Sequence, residues 1–294
     1  MNYVALIIDI EKSKGYQTEE RIVMQEFMVK CVEKLNFLFR DEMKFNVVFS
    51  AGDEIQGLFL DVTNAVIYFR LLEMLMRPIK LRAGIGIGGC TVMMEGGSST
   101  QQDGPAYHNA RKAIEEVKLM KLHSLRIHSE INKEKSGDIL VNHLLNTSLP
   151  LKNQQIYMQN IAQVIYELLY PMVGNSEMLF EYDVIKELIA VKFEYRLGAK
   201  KRGEYWARNK AMEREKLEKQ QLFVINPLYI NGELVEPEDM IIEKNVAKTI
   251  AEVLGCSRQN VANIMRRGYV YKIRELDYVA LQMAKRIYGG EEWN

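Results

Sequence analysis

The chain opens on an apolar run, Tyr3–Ile10, interrupted only by Asp9 near its end. A run of that length suits a strand buried on both faces of a sheet. Thr18 reads as a helix cap, with Glu19 and Glu20 favourable in the first turn. Met24, Phe27, Met28, Cys31, Leu35 and Leu38 then recur at helical spacing to about Arg40. Two β-rich runs, residues 45–50 and 55–60, flank Ala51-Gly52-Asp53-Glu54, the pattern of a hairpin. Residues 63–77 are again helical, Pro78 breaks them, and residues 79–89 read as a strand. That strand carries Gly84, Gly86, Gly88 and Gly89, which predicts a helix or loop packed closely over it. The order β-α-β-β-α-β predicts an α/β (α+β) chain with a ferredoxin-like sheet. Asp103-Gly104-Pro105 starts a further helix whose apolar stripe is Ala110, Ala113, Ile114 and Val117, and residues 124–130 add a strand.

Beyond residue 135 the character changes. The pattern divides the chain into an α/β domain (1–135), a helical connector (136–235) and a C-terminal helical segment (236–294). Residues 139–220 read as mostly helical, with a breaker at residues 171–174. The charged run 196–219 reads as a solvated helix or connector, and Asn231-Gly232 carries a hairpin signal. Near the C-terminus, Val246, Ala247, Ile250, Ala251 and Leu254 form one apolar helix face. Gly255 permits a tight turn, and Ser257 can cap a second helix.

Composition narrows the function classes. Lys and Arg together number 39, as do Asp and Glu, so contact with an anionic partner needs a local basic patch. The three cysteines, Cys31, Cys90 and Cys256, are isolated, which argues against a disulfide framework or a structural zinc site and favours a reducing cytoplasm. No run of about 18 apolar residues occurs, so neither a membrane span nor a membrane partner is expected.

The predicted topology makes the first and third strands antiparallel neighbours. Asp9, at the end of one, then meets Asp53, just before the other. Two carboxylates brought together repel unless a cation neutralises them or one keeps a proton. Mg²⁺ (or Mn²⁺) suits such a pair, because it takes one or two carboxylates plus substrate phosphates. Glu11 and Glu54 are further candidate helpers at the metal. The plainer reading is that Asp53 makes the turn and Asp9 ends the strand. A second candidate is the helix starting at Gly104: its N–H groups suit a phosphate, and His108 and Arg111 share one face. In the C-terminal pair, the second helix would offer Arg258, Gln259, Asn260 and Asn263 to base edges of DNA. Arg266, Arg267, Lys272 and Arg274 could meet phosphates. One such module binds weakly, so a homodimer is implied.

These motifs resemble known families. VALIIDIEKSK is similar to the first metal-binding strand of class III nucleotide cyclases. AGDEIQGLF resembles both their Gly-Asp hairpin and the hairpin of GGDEF diguanylate cyclases. LRAGIGIGG resembles the strand after the second cyclase helix, and DGPAYHNARKA the later segment that contacts substrate. In combination, Asp9-Ile10-Glu11-Lys12-Ser13 and Gly52-Asp53-Glu54-Ile55-Gln56-Gly57 most resemble the SatD family, over about residues 1–125. The resemblance implies Asp9 and Asp53 as metal ligands, with the main chain at Ile10 nearby. It implies Gly52, Gly104 and Arg111 as nucleotide contacts, and His108 and Arg111 at the catalytic positions. Three departures stand out: His108 stands where the cyclase has Asn, Arg111 is out of register by one, and Ala51 replaces the first Gly of GGDEF. Three expectations follow. The first is a nucleoside-triphosphate-binding sensor coupled to a DNA-binding helix-turn-helix. The second is an active nucleotide cyclase or nucleotidyltransferase. The third is a DNA-binding protein whose first domain only dimerises.

Overall fold

The computed structural model describes residues 2–129, 136–178, 180–200, 203–208, 225–234, 241 and 245–289. The apolar opening run forms β1 (Tyr3–Ile10), followed by α1 (Thr18–Leu38), β2 (Met43–Ala51), β3 (Glu54–Phe59), α2 (Val62–Met76) and β4 (Leu81–Gly88). Then come α3 (Pro105–Leu119) and β5 (Leu125–Ser129). The sheet order is β2-β3-β1-β4-β5. β1 lies between antiparallel neighbours β3 and β4, and β5 joins β4 in parallel, giving a five-stranded mixed sheet. Small differences from the sequence reading lie at the caps. Gln17, not Thr18, caps α1, and its N–H bonds the Glu20 carboxylate at 3.2 Å. Asp61 caps α2 by accepting from the Thr63 and Asn64 amides.

The pleat of β1 sorts its side chains. Val4, Leu6, Ile8 and Ile10 enter the main core with α1 and α2, whereas Ala5 and Ile7 face α3. All of α2 is buried, because helices cover the side turned away from the sheet. Those are α4 (Ser136–Leu144), α5 (Leu149–Gln154), α6 (Tyr157–Leu169) and α7 (Tyr182–Glu194), with the C-terminal helices α8 (Val246–Leu254), α9 (Arg258–Arg267) and α10 (Val270–Tyr288). One apolar core runs from Val4 to Tyr288, across both expected domain boundaries. Among the described residues no helix is long and apolar enough to cross a membrane.

Two local expectations are corrected. The charged run opens with an antiparallel hairpin, β7 (Tyr195–Lys200) and β8 (Gly203–Arg208), rather than a helix. Gly198 and Gly203 disfavour helix there. The rest of that run, residues 209–219, lies outside the described residues. So do Glu130 of the expected β5 strand and residues 236–240 of the C-terminal segment. Among the described residues Asn231-Gly232 makes no hairpin. β9 (Leu228–Tyr229) instead pairs in parallel with β6 (Met172–Val173). The Asn231 carboxamide oxygen accepts from the Glu233 amide at 2.9 Å, and the Gly232 amide bonds Gln282 on α10.

A buried ionic network ties the layers together. Arg70 of α2 meets Asp277 of α10 at 2.6 Å and Glu167 of α6 at 2.7 Å. Arg274 of α10 also holds Glu167, and Lys152 of α5 meets Asp277 at 3.0 Å. Each of these side chains is nearly inaccessible to water, so removing one partner strands a buried charge.

Candidate functional site

The face of the sheet toward α3 carries the site. On β4, Gly84 and Gly86 lie beneath α3. A Cβ at Gly86 would sit 2.0 Å from the Ala106 carbonyl oxygen and 2.1 Å from the Ala110 amide nitrogen. Only glycine lets the helix settle there, as the alternate glycines suggest. One step beyond the glycines on the same face, Arg82 pairs across the sheet with Asp9. Ile8 pairs with Ile55, so extending that register by one residue sets Asp9 opposite Glu54. Asp53 lies in the turn before Glu54, next to Gly52, whose φ of +63° is left-handed. The α3 helix passes over this row. Arg111 and Lys118, two turns apart, both reach down to it.

The contacts are charge-assisted. Lys118 Nζ lies 3.3 Å from an Asp9 carboxylate oxygen and 2.8 Å from Glu115. Burial pushes the Asp9 carboxyl above its ordinary range and neighbouring Asp53 adds to this. Lys118 and Arg82 offset the rise only in part. Glu54 behaves oppositely. Burial opposes its ionisation, but hydrogen bonds from Arg111 and Ser50 outweigh that and hold its carboxyl below the ordinary value. Arg111 grips both Glu54 oxygens, one at 2.8 Å, and the Ser50 hydroxyl donates at 2.9 Å. Glu54 thus anchors Arg111 and has little capacity left for a metal. Asp53 differs: one of its carboxylate oxygens is buried without a hydrogen-bond partner among the described residues. The Ile10 side chain is sealed in the core, so only its main chain could ligate. Among the described residues there is no group of three or more His, Cys, Asp or Glu side chains placed to hold a metal.

Gly104 stands at the start of α3, about 20 Å of helix from Leu119, and His108 lies one turn before Arg111. His108 Nε2 lies 2.9 Å from Asp103. Two amides at that helix start are already bonded, Gly104 to the Asp103 side chain at 2.8 Å and Ala106 to the Gly89 carbonyl at 3.1 Å.

In the C-terminal pair, Gly255 (φ +61°) ends α8, and the Ser257 hydroxyl accepts from the Asn260 amide at 3.2 Å to cap α9. Arg258, Gln259, Asn260, Arg266 and Arg267 are exposed. Asn263 is half-buried and accepts from Arg266 at 3.2 Å. Arg274 is a correction: it is buried against Glu167 and the Tyr170 carbonyl and meets no external phosphate. Lys272 remains exposed and pairs with Glu275 at 2.9 Å.

The sequence reading missed Lys118 and Arg82. The seven-residue step from Arg111 to Lys118 was the available signal, since it returns to the same helix face. It also missed the buried network, signalled by Arg70 and Glu73 inside the otherwise apolar α2.

No curated protein matches this chain. A solved structure, titled as that of a bacterial light-regulated adenylyl cyclase, is 16% identical, with 43% of this chain and 74% of that chain covered and a TM-score of 0.32. The family model described as SatD family matches residues 3–191, well over half of the sequence, and the chain belongs to that family.

Proposed function

We propose that the protein binds a divalent cation, Mg²⁺ or Mn²⁺, together with a nucleoside triphosphate at the edge marked by Asp9 and Asp53, and works as a nucleotide sensor. The observation that carries this reading is the buried, unpartnered Asp53 oxygen beside a second aspartate. A buried carboxylate oxygen without a donor is costly, and a hard cation is the partner that also resolves the repulsion between the pair. The donor set fits: Asp9 and Asp53 would hold the ion, with the Ile10 carbonyl as a third oxygen. When bound, the ion supplies charge that draws phosphate oxygens to this edge. Lys118 exchanges its contact from Asp9 to phosphate. The strand order and the Gly-Asp hairpin support a ferredoxin-like, cyclase-type arrangement of the domain.

Sensing is favoured over turnover by the cations. Arg111 is clamped by Glu54, and His108 is tied to Asp103. Both are already engaged by carboxylates, and a transferring phosphoryl group needs donors that are free as well as preorganised. The test is incubation with each of the four nucleoside triphosphates and Mg²⁺ or Mn²⁺, read by thermal shift and by mass spectrometry. Stabilisation by a nucleotide, lost in Asp53→Asn and without product, is the expected result. A cyclic or linked product absent in Asp53→Asn would establish the nucleotide cyclase or nucleotidyltransferase reading instead. Failure of any nucleotide and metal to bind removes both.

The capped α8–α9 pair and its exposed Arg258, Gln259 and Asn260 favour a second role, DNA binding by a cytoplasmic homodimer that nucleotide occupancy regulates. Its affinity would fall with salt and with Arg258→Ala. Retention of affinity in Arg258→Ala removes α9 as the reading helix.

A further inference from the structure

Beside the acid row, on the β4 side, lies a cleft of about 350 Å³. It is within the size range of small-molecule sites. Its wall is strongly basic: Lys12, Arg77, Lys80, Arg82, Lys118 and Lys121 line it, against the acids Glu11 and Glu73. The acids do not cancel the cations. Glu11 is shared by Arg82 at 3.4 Å and Lys12 at 3.9 Å. Glu73 is shared by Arg77 and Lys152, both at 3.6 Å, and accepts from the Ser124 hydroxyl. Lys80 and Lys121 are exposed at the rim.

The floor supplies an independent observation. In the buried network, four cations (Arg70, Arg77, Lys152 and Arg274) face three carboxylates (Glu73, Glu167 and Asp277). Arg70 and Arg274 have close carboxylate partners, so the surplus falls on Arg77. Arg77 is nine-tenths buried, contacts Glu73 only distantly, bonds Asn153 at 3.1 Å, and its Nε has no hydrogen-bond partner among the described residues. Burial outweighs the nearby acids and lowers its affinity for the proton. A nine-tenths-buried guanidinium that lines a basic cleft and keeps an unpartnered donor suits an anion, since guanidinium forks match phosphate oxygens.

We infer that this cleft binds the phosphate chain of a small polyphosphorylated ligand, with Arg77 at the floor and Lys80 and Lys121 at the rim. The inference goes beyond the acid pair and does not depend on it. Lys118 and Arg82 couple the two places, because each faces both the cleft and Asp9. Phosphate that draws Lys118 into the cleft frees the Asp9 carboxylate for a cation. Binding at either place then favours binding at the other.

The test is calorimetric titration of the full chain with pyrophosphate and tripolyphosphate in EDTA, where no cation can bridge phosphate to Asp9 and Asp53. The expected result is one-to-one binding that weakens with salt. It should fall roughly tenfold or more in K80A/K121A, from the loss of two charge-assisted contacts, and in R77Q. Because Lys80 and Lys121 are exposed, the double variant tests the site even where R77Q fails to fold. A parallel arm with ATP separates the sources of phosphate. Tighter binding than tripolyphosphate identifies a nucleotide, and equal binding identifies the phosphate chain alone. No binding, or binding unchanged in K80A/K121A, overturns the inference while leaving the cation site at Asp9 and Asp53 to its own test.

Discussion

Gly86→Ala puts the seating of α3 to a direct test. The added Cβ would lie 2.0 Å from the Ala106 carbonyl oxygen and 2.1 Å from the Ala110 amide nitrogen. Both are backbone atoms of a helix, so no side chain can turn aside. To reach ordinary contact at about 3.5 Å, α3 must retreat by about 1.5 Å. Overpacking of this kind costs about 3 kcal/mol at the upper end of its usual range. Alanine recovers about 0.5–1 kcal/mol by restricting the unfolded chain. The net loss is then about 2 kcal/mol, or roughly 3 °C in Tm for a chain of this size. Gly89→Ala is the matched control, because a Cβ there meets nothing within 4 Å. Thermal unfolding of both variants, followed by circular dichroism, decides the matter. Equal Tm values would refute the close seating of α3, and with it the reach of Arg111 and Lys118 to the acid row.

Other consequences are independently measurable. Arg70→Met leaves Glu167 and Asp277 short of a buried counter-charge and should cost about 3–5 kcal/mol in urea unfolding; a loss below 1 kcal/mol would discount the network. Lys192 is buried, donates to the Leu75 and Arg77 carbonyls at 2.7 and 2.6 Å, and has its pKa pushed down by burial to about 7. Between that value and its ordinary one the unfolded chain holds the extra proton. Stability should therefore rise with pH by about 1.4 kcal/mol per unit above pH 7 relative to Lys192→Met; parallel pH profiles would show that Lys192 keeps its ordinary affinity. Asp9 is harder to ionise in the fold than in the unfolded chain, so Asp9→Asn should raise Tm at neutral pH while abolishing Mn²⁺ binding. The stabilisation should fade as pH falls below the ordinary carboxylate range, and an equal gain at low pH would contradict the assignment.

What could be read from the chain was what local spacing records. The apolar run ending at Asp9, the Gly-Asp turn and the alternate glycines of β4 each announce a strand, a hairpin or a close helix, and the strand order then brings Asp9 toward Asp53. Partners that depend on packing left no such trace. Lys118 looked like one more solvated lysine until α3 settled on Gly84 and Gly86 and pointed it at Asp9. Arg274 sits on a basic, amphipathic helix that reads as surface; only the burial of Glu167 beneath it explains its place. The two-residue strands β6 and β9 are too short to show any periodicity, so the Asn-Gly pair nearby was read as the stronger signal.

The ion pairs between α2, α6 and α10 also set where this protein can be cut. The family match ends at residue 191, yet Arg70, Glu167 and Lys152, all inside it, find part of their counter-charge on Asp277 and Arg274, beyond it. A fragment truncated at the match would keep the Arg70–Glu167 pair but lose Asp277 and Arg274, and would open these buried charges to a half-built interior. The segment that looks like an appended tail is therefore part of the keel: it closes the sheet's back layer with its own apolar and charged side chains.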